Sequence, residues 1–96
     1  MATSIAMMRA AGATVPEFVA GHSLGEYTAL CAAGALSVGD TAKLLRARGN
    51  AMQTAVPVGR GLTAVVLGMD IDALRQICTE AGCDVANDNS AGQVVI

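Results

Sequence analysis

Apolar positions recur at helical spacing over residues 3–11, where Ile5, Met8 and Ala11 share one face and Gly12 is a stop. Thr14–Gly21 reads as a short strand, entered after Pro16 and ended by Gly21. Ser23–Gly34 reads as a helix whose apolar side is Leu24, Tyr27, Cys31 and the alanines, with Gly34 as its C-terminal cap. Ser37 and Asp40 then open a further helix that runs to about Gln53. A linker follows, marked by Pro57, Gly59 and Gly61, and the texture changes after it. Leu62–Gly68 reads as a strand. Asp70–Gly82 reads as an amphipathic helix with Ile71, Leu74, Ile77, Cys78 and Ala81 inward. Cys83–Ile96 reads as two strands joined by a turn at Asn89–Gly92.

Composition narrows the class. The chain has 96 residues, 53% of them hydrophobic, which excludes disorder, but only 2% aromatic, so a core must come from Ala, Val, Leu, Ile and Met. A net charge of −2 supplies no basic field for nucleic acid. No apolar run reaches the ~18 residues of a membrane span, and the N-terminal stretch has no basic leader before an apolar block, so neither a span nor a signal peptide is expected. Cys31, Cys78 and Cys83 show no CxxC spacing and there is a single histidine, so no metal site is expected and the thiols read as small buried residues of a cytoplasmic protein. The chain stops on Val94-Val95-Ile96 within an apolar strand, which reads as a fragment of a longer protein.

Chemistry concentrates at Gly21-His22-Ser23-Leu24-Gly25, which fits G-x-S-x-G between a strand and a helix. A nucleophile on such a turn is pushed outward in a strained conformation, and the residues two before and two after it approach so closely that glycine is required at both. The helix start offers the Leu24 N–H to a developing oxyanion; losing one such donor costs roughly 3–4 kcal/mol of transition-state stabilisation. The competing reading is an ordinary turn in which Ser23 caps the helix. His22 is adjacent in sequence and points elsewhere on a sharp turn, so an orienting or packing role suits it better than that of base.

Arg48 is the second anomaly. At roughly 100° per residue, Lys43, Arg46, Asn50 and Gln53 share a polar face, whereas Arg48 falls among Leu44, Leu45 and Met52. A cation on an apolar stripe is costly unless paired. Either it meets an internal carboxylate or snorkels outward, or it presents its guanidinium fork to a carboxylate-bearing substrate.

The run "GHSLGEYTAL" strongly resembles the nucleophile segment of malonyl-CoA:acyl-carrier-protein transacylases and of the related acyltransferase domains of polyketide synthases. The similarity continues through "AGALS", "LLRARGNAMQTAVPVGRG" and "NDNSAGQVVI". The resemblance implies an α/β fold: residues 1–58 as the nucleophile-elbow part of an α/β-hydrolase-like core, and residues 59–96 as the first β-α-β-β part of an inserted ferredoxin-like subdomain. It implies Ser23 as nucleophile, the Leu24 N–H as one oxyanion donor, Arg48 on the malonyl carboxylate and Met52 lining the acyl pocket. Gly21, His22 and Gly25 belong to the elbow. The implied partners are malonyl-CoA and acyl carrier protein, with no cofactor. The activating histidine and the second oxyanion donor fall outside these 96 residues, so the isolated chain is expected to be inactive. Rival readings are an α/β-hydrolase esterase and an inactive fragment or carrier-protein binding module.

Overall fold

The computed structural model describes residues 1–12 and 15–96. They form four helices and one small antiparallel sheet, in two compact units, Met1–Val56 and Pro57–Ile96. Among the described residues no helix is long and apolar enough to cross a membrane.

The first unit holds α1 (Ala2–Ala10), α2 (Leu24–Ala32) and α3 (Val38–Ala55). α1 and α3 both pack on α2. Ile5 is the buried residue of α1, and Gly12 follows the helix at φ 80°, a left-handed value that glycine adopts without steric cost. α3 begins where the sequence places it. Ser37 Oγ accepts from the Asp40 N–H at 3.0 Å and donates to the Asp40 carboxylate at 2.7 Å. That satisfies one of the orphan donors of the first turn and sets an acid at the positive end of the helix. The Ser37 hydroxyl, and next Lys43, hold the Asp40 carboxyl below its ordinary range. Thr41, fully buried, donates its hydroxyl to the Ser37 carbonyl at 2.8 Å.

Two expectations for this unit change. The strand anticipated over Thr14–Gly21 is absent: Thr14 lies outside the described residues, and residues 15–21 pair with nothing. A strand exists only through its hydrogen-bonded neighbour, and the described part of this unit offers none. The apolar stripe expected around Arg48 is not a buried stripe either, since Leu44 and Met52 are exposed while Leu45 and Arg48 are half-buried.

The second unit holds β1 (Val65–Leu67), α4 (Ile71–Ala81), β2 (Asn87–Ser90) and β3 (Gln93–Val95). The sheet order is β1-β3-β2, every pair antiparallel. Asp70 caps α4 by accepting from the Asp72 and Ala73 N–H groups, and Gly82 ends it in the left-handed conformation. Leu74 and Cys78 of α4 bury against Val94 of the central strand, with Val66, Ile71, Val85 and Ile96 around them. Ile77 and Ala81, expected inward, are exposed, because one sheet face covers only the Ile71–Leu74–Cys78 stripe of the helix. The hairpin turn is shorter than expected. β2 continues through Ser90 with a bulge between Asp88 and Ser90, leaving Ala91 and Gly92 as the loop. The cysteines are unlike one another: Cys78 is buried, Cys31 half-buried and Cys83 exposed, which corrects the expectation of three buried thiols.

Candidate active site

The first turn of α2 carries the strain that the sequence anticipates. Ser23 is the residue before the helix and the single described non-glycine residue with positive φ, at φ 55° and ψ −117°. A side chain rarely holds that conformation, which costs on the order of 1–3 kcal/mol. Two tight backbone bonds fix it: the Gly25 N–H donates to the His22 carbonyl at 2.9 Å and the Glu26 N–H to the Ser23 carbonyl at 3.1 Å.

The glycines flanking the serine are not equivalent. A Cβ added at Gly21 would lie 2.0 Å from the backbone carbon and oxygen of Gly25 and 2.5 Å from the Glu26 nitrogen. Any side chain there forces the turn open. A Cβ on Gly25 would meet nothing within 4 Å, so the need for glycine at both positions holds at one of them. The Cα–Cβ direction explains the asymmetry: at Gly21 it points across the turn, and at Gly25 away from it.

Ser23 does not cap α2 with its side chain. Its Oγ instead accepts a hydrogen bond from Arg48 Nη2 at 2.7 Å. The half-buried Arg48 has no carboxylate within ion-pair distance among the described residues. Its guanidinium carbon also stands 6.0 Å from the centre of the Tyr27 ring, a cation–π separation worth about 0.5–1 kcal/mol at a partly exposed position. Ser23 and Tyr27 are four residues apart, one turn of α2, so one face of that helix meets Arg48 of α3 at two points. Periodicity alone sets Tyr27 on an apolar side; the four-residue spacing from Ser23 is the signal that marks it as an arginine support.

The other anticipated residues stand as follows. The Leu24 N–H makes no backbone hydrogen bond among the described residues and lies beside Ser23 at the positive end of α2. His22 is exposed, and its carbonyl is committed to the Gly25 N–H. Met52 follows Arg48 by one turn of α3 and is 58% exposed. An open groove beside the serine turn is lined by Ile5, Met8, Val19, Leu24 and Gly25, and neither Ser23 nor Arg48 lines it.

This arrangement suits a specific division of labour. A guanidinium has donors and no acceptor, so Arg48 cannot take the serine proton. It leaves the hydroxyl hydrogen free for a base and places a fixed positive charge beside whatever is esterified to Oγ.

The chain has clear relatives among known proteins. It is similar to the malonyl CoA-acyl carrier protein transacylase of Bacillus subtilis (strain 168), 50% identical over 104 residues that cover 100% of this chain and 32% of the relative. It is similar to the enzyme of that name from Staphylococcus aureus (strain COL), 45% identical over 86 residues, 84% of this chain and 28% of the relative. The same holds for Escherichia coli (strain K12), at 44% identity over 89 residues, 88% of this chain and 29% of the relative. The chain thus spans about a third of the length of the curated relatives it matches. No solved structure matches it significantly. The sequence pattern of the acyl transferase domain family matches residues 1–96 throughout, strained serine turn included, and the chain belongs to that family.

Proposed function

We propose that the full-length protein transfers a malonyl group from malonyl-CoA to acyl carrier protein through a serine ester, in cytoplasmic fatty acid synthesis. The observation that carries the proposal is the 2.7 Å hydrogen bond from Arg48 to Ser23 Oγ. A malonyl ester on Oγ ends in a free carboxylate two carbons beyond its carbonyl, within the swing of a guanidinium that already touches the oxygen. An esterase acting on simple esters has no use for that cation.

In this mechanism Ser23 Oγ attacks the thioester carbonyl while its proton passes to a base. The family resemblance assigns the base to a histidine of the full-length enzyme other than His22. The tetrahedral oxyanion takes the Leu24 N–H as one donor. CoA leaves as the thiol, and the phosphopantetheine thiol of acyl carrier protein repeats the attack on the acyl-enzyme. Malonyl-CoA is the substrate and the carrier arm the acceptor; no further cofactor takes part. Arg48 releases Oγ to pair with the malonyl carboxylate, and Met52, a turn further along α3, lines the acyl pocket. Gly21, His22 and Gly25 shape the turn.

We assign residues 1–58 to an α/β-hydrolase-like core and residues 59–96 to the first part of a ferredoxin-like subdomain. Support for the second assignment comes from the sheet order β1-β3-β2, in which β1 and β2 flank an antiparallel β3 after a helical crossover, a split β-α-β arrangement.

The test is Arg48→Ala in the full-length protein, assayed with malonyl-CoA and with acetyl-CoA. A charge-assisted hydrogen bond is worth about 1.5–3 kcal/mol, so malonyl transfer should fall roughly 10- to 150-fold. Acetyl transfer should be unchanged or improved. Equal losses for both substrates would refute the carboxylate role.

A further inference from the structure

The C-terminus of α4 brings two thiols together that the transfer reaction does not use. Gly82 is left-handed, its N–H and that of Cys83 both donate to the Cys78 carbonyl, and the Cys83 bond measures 3.0 Å. A bond from the residue after the left-handed glycine back to the residue five before it is the closing bond of a Schellman motif. That motif sets the side chains of its first and last residues against each other, usually as an apolar contact. Here both positions are cysteine, and both thiols are free. They line one polar cleft with Arg75, Thr79 and Asp84. Burial pushes the Cys78 thiol up from its ordinary value, and a side-chain hydrogen bond with Cys83 adds to that.

We propose that Cys78 and Cys83 are a redox modification site, in which a hydroperoxide converts the pair to a reversible disulfide that staples the exposed end of α4 to its buried face. Exposure makes Cys83 the first thiol reached, and Cys78 the resolving one. In the first step the Cys83 sulfur takes the terminal oxygen of the hydroperoxide. The S–O bond forms, the O–O bond breaks, and the thiol proton leaves with the departing alcohol, or with water when the oxidant is hydrogen peroxide. In the second step the Cys78 sulfur attacks the Cys83 sulfenic acid. The S–S bond forms, the S–O bond breaks, and the hydroxyl departs as water with the Cys78 proton. The two thiols together lose two electrons and two protons, which the hydroperoxide accepts. A dithiol reductant reverses the reaction by exchange.

The sequence itself provides a clean readout. Trypsin cuts after Arg75, and a glutamate-specific protease cuts at Glu80, between the two cysteines. The full-length protein is treated with hydrogen peroxide, alkylated with a maleimide under denaturing conditions and digested with both enzymes. The expected product is the fragment holding Cys78 joined to the fragment holding Cys83, unalkylated and separable by dithiothreitol. The link should form at least about tenfold faster in the native protein than in guanidinium, because the helix cap pre-positions the sulfurs. Cys83→Ser should leave Cys78 fully alkylated. Cys78→Ala, which keeps the core apolar, should leave a Cys83 sulfenic acid that dimedone captures. Independent alkylation of the two thiols after oxidation would overturn the proposal. So would equal rates in native and unfolded chains, or unchanged Cys78 oxidation in Cys83→Ser.

Discussion

The two units differ in how their buried residues are arranged. The unit Pro57–Ile96 closes a small cluster of Leu74, Cys78 and Val94 between one helix and a sheet whose strands satisfy each other. Among its described residues the unit Met1–Val56 buries only Ile5 and Thr41, and both units leave large apolar side chains exposed, Val15 and Phe18 in one and Val58 and Leu62 in the other. The candidate chemistry lies wholly in the unit with the thinner core. What holds Ser23 and Arg48 together there is local: a turn closed by two backbone hydrogen bonds, a helix cap at Ser37, and two contacts from Arg48 to one face of α2. A strained, exposed serine does not need a large core beneath it, but it does need its turn to have no alternative.

Seven substitutions in four groups sharpen that contrast, from the group with the largest effect to the one with the smallest. Ser23→Ala in the full-length protein should reduce malonyl transfer by roughly 10⁴- to 10⁶-fold, as losses of a nucleophile do. Ser23→Gly should be as inactive yet about 1 kcal/mol more stable than Ser23→Ala, which lacks the same hydroxyl, because glycine accepts positive φ freely. A Ser23→Gly protein that melts no higher than Ser23→Ala would show that the turn stores no strain. Leu74→Ala removes the centre of the second cluster and should cost about 2–5 kcal/mol, with faster amide exchange in β1 and β3. Ile5→Ala should cost less, close to about 2 kcal/mol, since Ile5 borders an open groove that is already solvated. Equal costs in denaturant titrations would erase the distinction between the two units.

Gly21→Ala and Gly25→Ala separate the two glycines of the motif. The first should destabilise by roughly 1–3 kcal/mol or more and abolish Ser23 acylation. The second should be neutral or stabilising by about 0.5–1 kcal/mol, because alanine suits a helix better than glycine and meets no neighbour. Equal melting temperatures would mean that the turn relaxes around a Cβ at position 21.

The smallest effect belongs to Asp40, which is exposed. Its carboxyl is held low in the folded state, first by Ser37 and then by Lys43, so it contributes stability above the ordinary carboxylate range and loses it as the pH falls through the lowered value. Asp40→Ala should therefore be slightly less stable than the parent near neutrality and equal to it in strong acid, with a gap that shrinks in salt. A gap that widens on acidification would reverse the assignment.

Much of this was readable residue by residue. Ser37 with Asp40, and glycines at positions 12, 34 and 82, mark helix ends because caps act over three or four residues. The serine turn was equally legible, since G-x-S-x-G describes a local backbone conflict. Residues 15–21 were misread because alternation and a proline describe a strand's composition without supplying its partner. Ile77 and Ala81 were misread because helical periodicity defines a wide apolar arc and only the facing sheet decides how much is covered.

The sequence by itself determined the helices, their caps and the strained position of Ser23, all of which arise from forces between near neighbours along the chain. Only the tertiary structure decided that β3 lies between β1 and β2, that Gly21 and not Gly25 faces the backbone, and that Arg48 reaches the serine oxygen across 25 residues of chain. Those outcomes depend on packing directions between elements, and periodicity records which side of a helix is apolar without recording what that side will meet.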